Sequence, residues 1–258
     1  MLPITPKAPV SSPYPRLTAA SALARVSIII PTYNEAAVIG ALLDYLQWAT
    51  AEESESALEI IVADGGSTDD TRPLAQRTGV TVLHCPRKGR AAQMNTGAAQ
   101  ATGELLYFLH ADSYPPPGFL ADLHRASQQG YGSGCYRLAF DHPHWFLRLS
   151  AWCTRLPLTA VRFGDQSLFV RRDLFARVGG FREHLVVMED QEIIRRLQAA
   201  EPFCLIPRTI TTSARKYLAN GVFRLQAAFA LITVLYWLGV SQPRLVWLYR
   251  QLIRQNKL

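Results

Sequence analysis

The chain has 258 residues, 49% of them hydrophobic, which is enough to bury the core of one large domain or two small ones. Its formal charge of +7 favours an anionic partner; without a basic strand interleaved with aromatic residues, nucleic acid is a weaker candidate than nucleotide phosphate or anionic lipid. The four cysteines include no close pair at metal-ligand spacing, so we expect reduced thiols in a cytoplasmic protein.

Residues 1–24 contain five prolines and lack the apolar run of a signal peptide, which predicts a flexible tail. Strands and helices then alternate over the first 110 residues. Apolar runs predict strands at 26–31, 58–63, 81–84 and 104–110. Apolar residues at helical spacing predict helices at 35–50, 71–78 and 91–102. The alternation is typical of an α/β fold in which helices flank a mostly parallel sheet with right-handed crossovers.

The pattern is looser between residues 117 and 200. It predicts a helix at 118–129, strands at 134–140 and 166–170, a turn at Gly179-Gly180, and a helix at 189–200. Residues 142–158 are rich in aromatic side chains and are predicted to be irregular.

An uncharged and largely apolar stretch of 19 residues lies between Arg224 and Arg244. A spanning helix needs about 17 to 25 residues. A helix on the membrane surface, a helix packed on the domain and a spanning helix therefore remain open. Trp237 and Trp247 favour the membrane surface, because amphipathic rings prefer that interface. We accordingly predict a domain at 25–215 and a C-terminal helical segment at 216–258, apolar or amphipathic in character, with peripheral membrane contact through residues 222–254.

Two polar loops directly follow the first two predicted strands. The first is Pro31-Thr32-Tyr33-Asn34-Glu35, and the second is Asp64-Gly65-Gly66-Ser67-Thr68-Asp69. Open α/β folds bind ligands at the carboxyl ends of their strands, so the two loops predict a nucleotide site. Asp64 is suited to a nucleobase or a ribose, whereas a local turn with a helix cap is the alternative and is favoured for Asp69.

A basic loop, Arg87-Lys88-Gly89-Arg90, precedes the third predicted helix. Cations beside the free N–H groups of a helix N-terminus can bind a polyphosphate. A solvated surface loop is the alternative. The position of this loop, beside the two polar loops, favours phosphate.

Two further acidic motifs are candidates for chemistry. His110 and Asp112 follow the fourth strand at alternate positions, so both could reach a divalent ion that bridges phosphates. Glu189-Asp190 precedes the helix at 189–200. On local sequence alone, Asp190 is better explained as a helix cap than as a general base.

Taken in order, these residues resemble the family 2 glycosyltransferases, nucleotide-sugar-dependent enzymes of the Rossmann-like GT-A fold, and in particular a small single-domain bacterial branch. The resemblance extends over residues 26–200. It rests on the motifs already described, on Asn95-Thr96-Gly97, and on Arg172-Asp173-Leu174-Phe175 with Gly179-Gly180-Phe181.

The resemblance implies a role for each motif on the donor side. Pro31, Tyr33 and Glu35 would line the base pocket, and Asp64 would contact the edge of the nucleobase. The basic loop would place two cations near the diphosphate, and these are Lys88 and Arg90.

The resemblance also implies the chemistry. Asp112 would hold a divalent cation, Mn²⁺ or Mg²⁺, that acts as a Lewis acid for the leaving nucleotide. Asp190 would deprotonate the acceptor for in-line attack with inversion, which reverses the local interpretation of that residue. The family's motif commonly begins with Asp where this chain has His110. An imidazole can bind Mn²⁺, whereas Mg²⁺ prefers oxygen, so either Asp112 alone binds the ion or the metal preference is shifted.

We therefore expect an inverting glycosyltransferase that moves a sugar from a UDP- or GDP-type donor to a hydroxyl or carboxylate of a lipid or membrane-associated acceptor, at the inner face of the cell membrane. The aromatic region 142–164 would shape the acceptor side. Asp165, Gln166 and Glu189 are candidate sugar or acceptor contacts, although Asp165 could simply turn the chain. A non-catalytic, membrane-docked nucleotide-sugar binder is the alternative, and a nucleotidyltransferase is a weaker one.

Overall fold

The computed structural model describes residues 24–52, 58–156 and 158–254. The predicted N-terminal tail, apart from its last residue, lies outside these ranges. The strands are β1 (Val26–Thr32), β2 (Leu58–Asp64), β3 (Thr81–His84), β4 (Leu105–Phe108), β5 (Ser113–Tyr114), β6 (Ser133–Phe140), β7 (Leu168–Arg171) and β8 (Phe203–Thr212). The helices are α1 (Ala36–Ala49), α2 (Thr71–Gln76), α3 (Arg90–Gln100), α4 (Phe119–Gln128), α5 (Trp145–Cys153), α6 (Arg172–Arg177), α7 (Glu189–Ala200), α8 (Arg215–Asn220), α9 (Val222–Trp237) and α10 (Gln242–Leu252).

The strands form one sheet in the order β3-β2-β1-β4-β7-β6-β8-β5. The first four are mutually parallel, as predicted for the N-terminal part of the chain. Beyond β4 the sheet is mixed, because β7 is antiparallel to both β4 and β6, and β5 is antiparallel to β8. The chain order reverses at β1, which lies between β2 and β4. Such a reversal is where an α/β sheet opens a crevice for a ligand.

Strand β1 is buried along its whole length because helices cover both faces of the sheet. Its side chains alternate between two cores. Ile28 and Ile30 pack with the apolar face of α1, and Ile29 packs with α3 on the opposite side. The uninterrupted apolar run in the sequence is therefore the expected signature of a central strand.

Two predictions for the second half of the chain were wrong. Residues 142–158 are not irregular throughout, because α5 forms there and buries Leu147 and Ala151 on one face. Strand β8 was missed because Pro207 interrupts its alternating pattern. That proline lies where the register with β6 shifts, between Tyr136 and Arg137, and a bulge is a position that tolerates proline within a strand.

The apolar C-terminal stretch forms two helices rather than one. Gly239, with φ of 80°, follows α9 and allows the chain to turn into α10. One face of this hairpin is packed, since Leu225, Ile232 and Leu245 share a core with Val187. Within the described ranges, none of the helices has both the length and the apolar character needed to cross a bilayer.

Replacing Gly97 in α3 with alanine is expected to destabilise the protein by about 1–3 kcal/mol, because overpacking strains a tight interface. An added Cβ would lie 2.5 Å from Cγ2 of Ile29. The free energy of unfolding in urea measures the effect. Gly40→Ala in α1 is the control: its Cβ meets no atom within 4 Å. That control is expected to gain about 0.5–1 kcal/mol. Equal stability of Gly97→Ala and wild type would contradict the close packing of α3 on β1.

Candidate functional site

The predicted functional residues converge at the carboxyl ends of β1, β2 and β4. The short turn Gly164–Gln166 and the start of α7 face the same edge. Among the described residues other than glycine, three have positive φ, and each lies in a loop at this edge: Asn34 (54°), Ser167 (57°) and Met188 (68°). Such backbone is uncommon and is found most often where surrounding structure holds a functional site in place.

The loops after β1 and β2 are fastened to each other. The N–H of Asn34 donates to Oγ of Ser67 at 2.9 Å, and the N–H of Glu35 donates to Oγ1 of Thr71 at 2.7 Å. Asp69 accepts hydrogen bonds from the N–H groups of Ala36 and Thr71, at the starts of α1 and α2. Asp69 therefore serves as a cap, as favoured from the sequence, by accepting from the first N–H of each helix, although Glu35 and Asp70 hold the N-cap positions of α1 and α2.

Asp64 is fully buried and holds the second loop together. Its carboxylate accepts hydrogen bonds from the N–H groups of Gly66 and Ser67, at 3.1 and 2.9 Å, and from the hydroxyl of Thr32 at 3.1 Å. The local turn considered from the sequence is thus present. Contact between Asp64 and a nucleobase stays a prediction. Pro31 is likewise buried at the end of β1.

The basic loop lies against the other site elements. Nζ of Lys88 lies 3.8 Å from the centre of the Tyr33 ring, a cation–π contact. Nε of Arg90 lies 2.8 Å from Oε1 of Glu189, whose side chain is almost completely buried. The loop therefore joins the predicted base pocket to the start of α7, with two cations at the edge of the site.

Three titratable groups meet around Gly164. A Cβ on that residue would lie 2.2 Å from Oδ2 of Asp190 and 2.6 Å from Cε1 of His110, so only glycine allows this approach. Nδ1 of His110 lies 3.3 Å from Oδ1 of Asp165. The site predicted from distant motifs is thus brought together in space, with Asp190 at its centre.

The electrostatic environment favours a charged His110–Asp165 pair. Burial lowers the pKa of His110, but its hydrogen bond to Asp165 and the charge of Asp190 outweigh burial and raise that pKa overall. The surrounding protein partly removes Asp165 from water and so raises its pKa, although the side chain is partly exposed; the same hydrogen bond and the neighbouring Arg90 and Lys216 outweigh this effect and lower the pKa overall.

The sequence did not reveal the role of Arg215. Its guanidinium bridges two predicted site residues, with Nη2 at 2.8 Å from Oε2 of Glu35 and 3.0 Å from Oδ2 of Asp112. Burial and the nearby Asp165 raise the pKa of Asp112, whereas Arg215 lowers it. Arg215 and Lys216 were visible in the sequence as a basic pair, but nothing local indicated that α8 folds back onto β1 and β4.

Gln166 supports the site from within the core. It is fully buried, donates to the carbonyl of Tyr136 at 2.9 Å and accepts from the N–H of Phe163 at 3.2 Å. These bonds fasten the turn Gly164–Gln166 to β6. A direct contact between Gln166 and a sugar is an untested prediction, whereas Asp165 is 44% exposed at the mouth of the site.

The side chains present suit a cation that a diphosphate also holds. In the described part of the chain, no cluster of three or more His, Cys, Asp or Glu side chains is arranged to hold a metal. The predicted donors are one carboxylate, Asp112, and one imidazole, His110. A nucleotide-bound cation typically takes one or two protein ligands and completes its shell with phosphate oxygens and water, so the number of donors fits such an ion. In this structure Asp112 pairs with Arg215 and His110 with Asp165, so an ion would have to replace these partners.

Comparisons with known proteins bear on the family and the fold of the chain. Residues 27–172, more than half of the chain, match the family model described as Glycosyl transferase family 2. An undecaprenyl-phosphate 4-deoxy-4-formamido-L-arabinose transferase of Pseudomonas syringae is 33% identical over 113 residues, which are 41% of this chain and 33% of that protein. Glycosyltransferase AglE of Haloferax volcanii is 28% identical over 183 residues, which are 64% of this chain and 59% of that protein. The chain therefore spans less than two thirds of either relative.

Solved structures show the same fold. A mannosyltransferase of Pyrobaculum calidifontis, in complex with GDP-Man and Mn²⁺, superposes with a TM-score of 0.67 at 22% identity, over 93% of this chain and 73% of that one. S. aureus TarS 1-349 in complex with UDP-GlcNAc superposes with a TM-score of 0.60 at 18% identity, over 73% of this chain and 58% of that one.

The burial of Glu189 predicts a pH-dependent stability. Burial and the adjacent Asp190 raise the Glu189 pKa from 4.5 to about 7, although Arg90 opposes the rise. The folded state then binds a proton more tightly than the unfolded state, so this contribution to stability is full below the unfolded pKa and is lost as pH rises through about 7. As the pH is lowered from about 8 to 5, the free energy of unfolding of wild type should increase by on the order of 1 kcal/mol relative to that of Glu189→Gln.

Urea unfolding across this pH range measures the difference. Glu52→Gln, which alters an exposed carboxylate after α1, serves as the control and should follow the wild-type curve. Parallel curves for wild type and Glu189→Gln would show that Glu189 has an ordinary pKa.

Proposed function

Because the chain belongs to glycosyl transferase family 2, we propose that it transfers a sugar from a UDP- or GDP-type donor to a lipid or membrane-associated acceptor, with inversion at the anomeric carbon. One observation carries the proposal: the side chains of Asp190 and His110 both lie directly against Gly164. These side chains lie at the sheet edge that also holds the base-pocket loops and the basic loop. Residues 25–215 would form the catalytic domain.

The donor would bind across the ends of β1, β2 and α3. Tyr33 and Glu35 would border the nucleobase, with Pro31 and Asp64 shaping the loops beneath it. The diphosphate would lie toward Lys88 and Arg90, because their charges and the N-terminus of α3 favour an anion. Arg90 pairs with Glu189, so donor binding would exchange one anionic partner for another.

Asp112 and His110 are the residues that would hold a divalent cation, Mn²⁺ or Mg²⁺. When bound, the ion would supply Lewis-acid stabilisation of the leaving nucleotide. The Mn²⁺ in the Pyrobaculum calidifontis complex supports the use of a divalent cation. Arg215 contacts Asp112, and its positive charge partly offsets the rise in the Asp112 pKa that burial and Asp165 cause; a bound cation would take the place of this partner.

Asp190 would act as the general base. It would remove the proton of an acceptor hydroxyl as the hydroxyl oxygen attacks the anomeric carbon and the nucleoside diphosphate leaves from the opposite side. Asp165 holds His110 and would border the acceptor at the mouth of the site. Glu189 would keep Arg90 in position, and Gln166 would hold the turn that carries Gly164 and Asp165.

A lipid acceptor is supported by the relative from Pseudomonas syringae, which is named as an undecaprenyl-phosphate transferase. We propose that the chain reaches such an acceptor by peripheral contact with the inner face of the cell membrane, through residues 222–254. A second candidate, a non-catalytic nucleotide-sugar binder, is favoured by one observation. His110, in the place where the family commonly has Asp, is engaged with Asp165.

Asp190→Asn is expected to lower turnover by at least about a hundredfold, because the amide cannot accept the proton, and to leave donor binding intact. Release of nucleoside diphosphate is measured with a panel of UDP- and GDP-sugars, Mn²⁺ and lipid acceptors carrying a hydroxyl or a phosphate. Asp44→Asn, at an exposed position on α1, is the matched control and should retain full turnover.

The outcomes separate the candidates. Donor binding without turnover in wild type across the whole panel would favour the binding protein. If Asp190→Asn turned over at the wild-type rate, Asp190 would not be the general base. If wild type turned over only acceptors that are already ionised, Asp190 would have another role, because no proton would have to be removed.

Donor affinity is expected to depend on a divalent cation and to be higher with Mn²⁺ than with Mg²⁺, because an imidazole suits Mn²⁺ better. His110→Asp should reduce this preference. Calorimetric titration of UDP and GDP with each ion, and with a chelator, measures both effects. The control is His184→Asp, at an exposed position outside the site, which should keep the wild-type preference. Equal affinity with and without the cation would contradict metal-assisted donor binding.

A further inference from the structure

The exposed face of α9 is largely apolar, apart from Arg224 in its first turn. Its buried face packs on α10, while the opposite face presents large apolar side chains at helical spacing. These exposed side chains are Phe223, Leu231, Val234, Trp237 and Leu238. Trp237 is 53% exposed and Leu238 is 74% exposed. A monomeric protein rarely leaves such a continuous strip without a partner.

Helix α5 carries a second exposed strip. Trp145, Leu149 and Trp152 lie three or four residues apart, and Trp145 is 63% exposed. Leu156 continues the strip just beyond the helix and is also exposed. The sequence had suggested only that this region shapes the acceptor side.

The two strips adjoin where α5 and α9 begin. The ring of Phe223 lies 5.9 Å from the ring of Trp145 and 4.9 Å from that of Phe146. Farther along, Trp237 of α9 and Thr159, which follows the α5 strip in the chain, line one groove of about 580 Å³ together with Arg195 and Tyr236. The α5 strip and the α9 strip therefore form one surface, here called the α5–α9 surface.

Cations outnumber carboxylates at this surface. All 20 acidic residues of the chain lie before residue 202, and none lies between Asp141 and Asp165, so neither strip contains a carboxylate. Cations are present instead: Arg148 and Arg155 are exposed on the α5 side, and Arg224 is exposed at the start of α9. Arg148 and Arg155 also line a groove of about 770 Å³ between α5 and β6. The exposed Asp141 is the one carboxylate among the described residues that line this groove beside α5.

We infer that the α5–α9 surface docks on a bilayer containing anionic lipid. Tryptophan and aliphatic side chains would enter the boundary between headgroups and acyl chains, and the arginines at its rim would pair with lipid phosphates. A second copy of the chain fits less well, because two such surfaces would bring like charges together. This inference rests on the proposed function, which includes contact with a membrane, and assigns that contact to α5 together with α9.

The position of the surface relates it to the site. The segment after α5 is tied down by Arg162, which is almost fully buried and donates to the carbonyls of Thr154 and Leu156. It then runs through exposed Phe163 into Gly164, where Asp190 and His110 approach. Docking through α5 would therefore place the bilayer beside the mouth of the proposed acceptor site.

Co-sedimentation of the full chain with vesicles tests the inference. We expect binding to phosphatidylcholine vesicles that contain phosphatidylglycerol, weaker binding to phosphatidylcholine alone, and release by salt. Trp145→Ser in α5 and Trp237→Ser in α9 should each lower the partition coefficient about tenfold, because each removes an exposed aromatic side chain that docking would bury in the bilayer.

A matched control distinguishes docking from general loss of apolar surface. Trp48→Ser removes an exposed tryptophan of α1, away from the α5–α9 surface, and should bind vesicles as wild type does. Arg148→Gln and Arg155→Gln should each weaken binding about fivefold, and only to anionic vesicles.

Donor binding in the absence of vesicles is measured for every variant. The substituted tryptophans and arginines lie outside the donor site, so donor binding should be unchanged in every variant. Loss of vesicle binding can therefore be distinguished from loss of the proposed catalytic function. Three results would overturn the inference: no binding of wild type to anionic vesicles, equal binding of Trp48→Ser and the two surface variants, or a dimer in solution that Trp145→Ser dissociates.

Discussion

The candidate site depends on pairing its buried and half-buried carboxylates with cations from distant parts of the chain. A charge removed from water is costly unless an opposite charge accompanies it. Arg90 provides this partner for Glu189, and Arg215 provides it for both Glu35 and Asp112. Arg215 and Glu35 are 180 positions apart, so the site is complete only when α8 folds back onto the sheet edge.

The same electrostatic network joins the site to the C-terminal hairpin. Lys216 donates a hydrogen bond to the hydroxyl of Tyr249 in α10. Its charge also lowers the pKa of Asp165, against the effect of burial. Since α10 packs on the inner face of α9, the hairpin reaches the site on one side and presents the α5–α9 surface on the other. This arrangement suits a transfer reaction whose acceptor is held in a bilayer.

Local patterns predicted several elements closely, including the central strand β1 and the edge strand β3. The bounds of β3 and α7 were predicted to the residue, and those of β1 and β2 differ by one residue at the carboxyl end. In each of these segments the hydrophobic pattern is regular along the whole element, because each face of the element keeps the same surroundings from end to end. Prediction failed for α5, whose exposed face is as apolar as its buried face, and for β8, where Pro207 and a register shift disturb the alternation.

The sequence by itself determined the parallel β1–β4 half of the sheet, the order of the motifs and the family resemblance, because strand burial and strand-end loops leave short-range patterns. It also identified most residues that meet at the site, including His110, Asp165 and Asp190. Only the tertiary structure decided that Asp64 is enclosed by its own loop, that Arg215 bridges two carboxylates, and that α5 and α9 share one exposed surface. Each of these three features depends on burial set by packing or on contacts between residues or elements distant in the chain. Local spacing in the sequence reveals neither burial nor distant contacts.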